Sequence, residues 1–179
     1  VNLYIMRHGP AEDRSASGRD EDRELTPSGR QRTRAVVRAF LEAGEIPHTL
    51  VSSPLVRARQ TAELLVNVAE TLSDTSHEES QPLRPAMSPI ELRRELSPGG
   101  PALRLLDELL RRAAPSAMLF GHEPDLSSLV TRLTGQDLEL GLLKAMIVGI
   151  HLDTGASLLE GRGALQFVLD PATLAWQRG

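Results

Sequence analysis

Leu3-Tyr4-Ile5-Met6-Arg7-His8-Gly9-Pro10 is the stretch on which the fold turns. Leu3 to Met6 is continuously apolar, as expected of a parallel strand covered on both faces. The run stops at Arg7-His8, and Gly9-Pro10 then permits a sharp turn. In open α/β sheets the crevice beyond the carboxyl ends of such strands is where ligands bind. An arginine beside a histidine there suggests an oxyanion held by one side chain and attacked by the other. A tripeptide recurs by chance, so the reading depends on partners supplied from elsewhere in the chain.

Two further segments supply them. Ala117-Met118-Leu119-Phe120 is another apolar run, and Gly121-His122-Glu123-Pro124 ends it with the same grammar of titratable residue, turn and proline-started helix. Thr49-Leu50-Val51-Ser52 reads as a short strand running into Ser53-Pro54-Leu55-Val56-Arg57-Ala58-Arg59-Gln60-Thr61. Ser53 as cap and Pro54 behind it place Arg57 in the first turn of a helix, whose amino end offers N–H donors to an anion. Arginine adds a planar fork matched to phosphate oxygens. Arg59 lies about 200° further round the helix, and the small face of Ala58, Thr61, Ala62 and Leu65 favours Arg57.

The remaining segments read mostly as framework. Residues 11–24 form an acidic polar loop, either solvated or a lid that gates the site or lends a carboxylate. Thr26 and Pro27 open a helix whose packing face is Thr33, Val36, Val37, Phe40 and Leu41, and Gly44 closes it. Residues 71–81 read as a linker-like loop with His77 exposed. A short strand is expected near Leu83–Met87 and a helical turn around Ile90–Arg94. Glu95 is either an exposed or capping carboxylate or a catalytic one. Leu103, Leu105, Leu106, Leu109 and Leu110 face a helix inward, as do Leu126, Leu129, Val130 and Leu133 in the next, which Gly135 stops. Residues 145–152 and 164–169 are two more strands. His48 and His151 read as structural. The order β, α, β, α, β, α, β, β predicts a three-layer α/β/α sandwich.

Bulk properties narrow the function. At 179 residues the chain is expected to be one domain, residues 1–179. A formal charge of −4 argues against a generic nucleic-acid surface, and no apolar run approaches a membrane span. With no signal peptide in evidence, a cytoplasmic location is expected. Cysteine is absent, which removes disulfides, thiol nucleophiles and thiolate metal sites. Lys144 is the lone lysine among 20 basic residues and is not followed by Ser or Thr, so there is no P-loop.

Arg7, His8, Arg57 and His122 make a poor metal site, because guanidinium repels a cation, and no His-Glu-x-x-His spacing occurs. They make a good pocket for a phosphoryl group, whose transition-state charge fixed donors stabilise. One histidine can attack phosphorus as neutral imidazole.

These motifs, in this order, resemble the histidine phosphatase superfamily, whose signature is Arg-His-Gly after the first strand. Leu25-Thr26-Pro27-Ser28-Gly29, the 53–61 block and Gly121-His122-Glu123-Pro124 extend the match. The resemblance implies a phosphoglycerate mutase-like fold with a mixed, mainly parallel sheet, and no metal or cofactor. It implies His8 as the phosphorylated nucleophile, with Arg7, Arg57 and His122, together with Gly9, on the substrate phosphate. The short chain and Glu95-Leu96-Ser97-Pro98-Gly99-Gly100 look most like SixA-type phosphohistidine phosphatases, which act on histidine-containing phosphotransfer domains. For the general acid, Glu95 is the best-placed candidate, with Glu12 and Asp13 behind it. The alternatives are a phosphatase of small phosphate esters or sugar phosphates, and a non-catalytic phosphate- or phosphoprotein-binding module.

Overall fold

The computed structural model describes residues 1–74, 87–112, 114–153 and 160–179. Leu3 to Met6 is wholly buried within β1 (Asn2–Arg7), the central strand of a seven-stranded sheet among the described residues. On one side β1 pairs in parallel with β4 (Ser116–Gly121), β4 with β2 (Thr49–Ser52), and β2 with the two-residue β3 (Glu91–Leu92). On the other side β1 runs antiparallel to β5 (Ile147–Leu152), followed by β6 (Gly163–Leu169) and β7 (Trp176–Arg178). The sheet is therefore mixed, with mainly parallel core strands, as the family resemblance implied.

Strand alternation divides the core. Leu3 and Ile5 join Leu105 and Leu106 of α3 (Ala102–Arg111) and Leu126 and Val130 of α4 (Asp125–Thr134). Tyr4 and Met6 join Val36 and Phe40 of α1 (Pro27–Glu42) and Leu65 of α2 (Val56–Asp74). Two helices thus cover each face, giving three layers. The expected inward face of α1 is buried in full, and Thr26 Oγ1 caps its start by accepting the Gly29 N–H at 2.9 Å. Gly44 and Gly135 follow α1 and α4 with φ of 87° and 71°, conformations that glycine adopts without penalty.

Several local expectations are corrected. Pro54 does not start α2, which begins at Val56. Ser53 instead keeps strand-like company, donating its N–H to the Phe120 carbonyl at 2.9 Å. Where a helical turn was expected at Ile90–Arg94, Glu91 and Leu92 pair with Val51 and Ser52, and the turn follows as a 3-10 turn at Arg94–Leu96. The open edge of β2 decides that outcome, since it offers backbone partners that local periodicity does not register. Strand β5 starts at Ile147, because Ala145 turns the chain with φ of 69°. Strand β7 is three residues long and carries no apolar alternation. His77, the 154–155 bend and all of the expected 83–87 strand except Met87 lie outside the described residues.

The topology sets up the site. Parallel register aligns Arg7 with Gly121 and Ser52 with Phe120, so β1, β4 and β2 end side by side. Arg7-His8, His122 and Ser53 leave the sheet at this common edge, and α2 brings in Arg57 as its second residue.

Candidate active site

His8 follows β1 directly and is only 6% exposed. Its backbone N–H bonds to the Gly121 carbonyl at 3.1 Å, fixing the main chain at the strand end. The ring Nδ1 lies 2.7 Å from the Gly9 carbonyl. A carbonyl only accepts, so Nδ1 carries the proton and Nε2 keeps the lone pair. Burial pushes the imidazole down to about 4; the Gly9 carbonyl opposes that shift, while Arg57, Arg7 and Lys144 add to it. At neutral pH the ring is uncharged and nucleophilic at Nε2.

Gly9 makes the turn behind this ring. Its N–H donates to Thr61 Oγ1 at 3.0 Å, and that hydroxyl donates to the Arg57 carbonyl at 2.7 Å. A Cβ at Gly9 would overlap Thr33 Oγ1, so the turn and α1 fit together only without a side chain there. The turn is also held from the β5 side. The Ala145 N–H lies 3.2 Å from both the Arg7 and His8 carbonyls, and the Arg7 N–H reaches Met146 at 3.3 Å.

His122 stands beside His8, with ring centroids 5.2 Å apart and planes inclined by 53°. Its Nε2 lies 2.8 Å from Ser53 Oγ, and its Nδ1 is buried without a partner. Burial, then the neighbouring His8 and Arg57, push this imidazole to about 3; Asp20 opposes the shift and Arg7 adds to it. Arg7 donates from Nη1 to the Leu142 carbonyl at 2.8 Å, while its Nε is buried and unpaired. Arg57 also has a buried, unpaired Nε. Burial pulls both guanidinium groups below their usual range, with Glu123 opposing this at Arg7 and Asp20 opposing it at Arg57.

The structure thus brings together Arg7, His8, Gly9, Arg57 and His122, distant in sequence. It does not add Glu95. Both Glu95 oxygens take bonds from Arg93, at 2.6 and 3.2 Å, within an ion cluster that includes Glu91, Glu108 and Arg112. Those bonds to Arg93 hold Glu95 below the usual carboxylate range, so it is ionised at neutral pH and is no proton donor. Glu12 and Asp13 are exposed on the 11–24 loop and make no side-chain bond to the five. The carboxylates that do act on the cluster are Asp20, bonded to Arg57, and Glu123, which acts on Arg7 and accepts two bonds from Ser127. His48 bonds Ser116 and His151 bonds Asn2, both away from the cluster, as read from sequence.

Ser53, Asp20 and Thr61 were not singled out in the sequence as site residues. Ser53 looks like a helix cap until β2 and β4 are paired, and Thr61 like one more small residue of the α2 face. Nothing in the loop distinguishes Asp20 from its acidic neighbours.

Known proteins share this architecture. Residues 3–81 match the histidine phosphatase superfamily (branch 1). An uncharacterized protein of Picosynechococcus sp. is 35% identical over 167 residues, spanning 89% of each chain. The protein histidine phosphatase SixA, solved with tungstate, superposes with a TM-score of 0.75 at 26% identity, covering 98% of this chain and 100% of that one. A phosphoserine phosphatase mutant from Entamoeba histolytica shares the fold at TM-score 0.64 and 14% identity, over 97% and 99% of the two chains. Motif order, sheet topology and relatives agree: the chain belongs to the histidine phosphatase superfamily, and it is a SixA-like phosphatase.

Proposed function

We propose that this phosphatase removes phosphate from phosphohistidine in a phosphotransfer protein, through a phosphate carried on His8 and without a metal ion. The observation that carries the reading is the set of buried nitrogens with no partner among the described residues, Arg7 Nε, Arg57 Nε and His122 Nδ1, gathered about a neutral imidazole. Buried donors are nearly always paired, so three in one place suit a ligand rich in acceptor oxygens. With Ser53 donating to Nε2, the proton of His122 sits on Nδ1 and completes the set.

In the first step His8 Nε2 attacks phosphorus in line; the new N–P bond forms as the substrate's N–P bond breaks. A phosphohistidine protonated on its other ring nitrogen leaves as neutral imidazole, so no acid need stand at the leaving atom. Water then attacks the His8 phosphate, releasing inorganic phosphate and restoring the imidazole. Glu95 and Asp20 are both held below the usual carboxylate range and are poor acids at neutral pH, which favours an N–P over an O–P substrate.

Turnover of a phosphorylated phosphotransfer domain should be compared with a panel of small phosphate esters and sugar phosphates. The expected result is efficient turnover of the phosphoprotein, with an acid-labile, base-stable phosphate on His8 that His8→Asn abolishes. Arg57→Ala should lower kcat/KM about tenfold to a hundredfold. Efficient ester turnover with none on phosphohistidine would move the assignment to small esters. Phosphate binding without any covalent intermediate or release would make the protein a binding module.

A further inference from the structure

The acidic loop reaches into the cluster through one residue. Asp20, at the start of a 3-10 turn (Asp20–Asp22), presents two acceptors to Arg57. Its backbone carbonyl takes an N–H from Nη1 at 2.9 Å, and its carboxylate Oδ2 takes one from Nη2 at 3.1 Å. Both outer nitrogens of the guanidinium therefore end on the same loop residue. Oδ1 accepts from Arg23 Nε at 2.8 Å, and Arg23 is tied in turn to the Glu12 carbonyl at 3.0 Å.

The two partners differ in freedom. The Arg57 side chain is 5% exposed and the Asp20 side chain 66%. The cation is fixed in the wall of the site, whereas the anion arrives from the solvent side. A cleft of about 630 Å³, lined by residues 13–20 and Arg23, adjoins Asp20 and leaves its side chain room to swing away.

Two N–H groups of one guanidinium directed at two oxygens is also how arginine holds a phosphoryl group. We propose that Asp20 sets the affinity and charge selectivity of the site, its carboxylate holding Nη2 of Arg57 beside the Nη1 that its carbonyl holds, until an incoming phosphoryl group displaces the carboxylate. The inference rests on Arg57 being a phosphate ligand, as the proposed function requires. A dianionic phosphoryl group offers more charge and more acceptor oxygens than this largely solvated carboxylate, so it wins the fork. A singly charged phosphodiester gains much less from the exchange and is turned away.

Calorimetric titration of the full chain with inorganic phosphate tests this without needing turnover. Asp20→Asn and Asp20→Ala should each bind phosphate roughly two- to fivefold more tightly than the wild type, the range expected for loss of a largely exposed ionic competitor. Asp20→Glu, which restores a carboxylate, should bind less tightly than Asp20→Asn. Unchanged or weaker phosphate binding by Asp20→Asn would overturn the proposal, because Asp20 would then be idle or aligning Arg57 for the ligand. So would a Glu variant that behaves like the Asn variant. Arg57→Ala in the same titration separates the two ideas: if it binds phosphate as the wild type does, the role of Arg57 itself fails.

Discussion

His122 has one ring nitrogen bonded and one free, and Ser53 governs which of them carries the proton. The Ser53 hydroxyl accepts the Leu55 N–H at 3.3 Å and lies 2.8 Å from His122 Nε2, where donating its own hydrogen leaves the ring proton on Nδ1, as the proposed function requires. Ser53→Ala removes that constraint and lets the ring populate both tautomers. The expected outcome is a kcat/KM lower by about five- to tenfold, corresponding to the roughly 1 kcal/mol of one hydrogen bond. Nitrogen NMR of His122 should show tautomer mixing in the variant, and an unaltered spectrum with unaltered kinetics would remove Ser53 from the mechanism. Side chains at this scale were legible in sequence where a strand delivers them. Arg7, His8 and His122 each follow an apolar run, and the run announces the crevice. Ser53 and Asp20 stayed hidden because their partners, His122 and Arg57, lie 69 and 37 positions away along the chain.

The start of α1 is seated directly on the turn that carries His8. Its Gly29 lies against the Pro10 carbonyl so closely that a Cβ would overlap this backbone oxygen. The Thr26 N–H donates to the same carbonyl at 3.1 Å. Gly29→Ala must therefore push the helix off the turn, since the atom it meets is main chain and not a side chain that could swing aside. A loss of about 1–3 kcal/mol in unfolding free energy is expected, as for other overpacked sites. Activity should fall as well, because Gly9 and His8 move with Pro10; urea denaturation and kinetics on one preparation check both. Wild-type stability in this variant would show that the helix repositions freely. Caps made elements of this kind readable: Thr26-Pro27 and Gly44 bound α1 where the structure does. Elements fixed by pairing were not. Glu91-Leu92 is a strand because β2 has an open edge, and Trp176–Arg178 is one because β6 does.

Over the whole molecule, two buried neutral histidines couple folding to pH. His8 titrates at about 4 and His122 at about 3, whereas an unfolded histidine titrates near 6.5. Between roughly pH 6.5 and 4 the unfolded chain binds protons that the folded chain refuses, so stability falls as pH falls; above pH 6.5 the contribution is complete. The slope approaches about 1.4 kcal/mol per pH unit for each histidine. Urea denaturation in phosphate-free buffer from pH 7.5 to 5 should show it, and His8→Asn or His122→Asn should flatten it. A flat wild-type profile would mean that both rings ionise freely in the fold. The layered architecture was legible because β1 and β4 carry unbroken apolar runs, Leu3–Met6 and Ala117–Phe120, the mark of strands with helices on both sides. The antiparallel flank was less so, since strand direction depends on how the chain returns. His8 is 6% exposed and its main chain is bonded on both sides, to Gly121 and to Ala145, so it cannot rise to meet a donor. Phosphorus has to travel the whole distance, so a donor must carry its phosphoryl group clear of its own bulk.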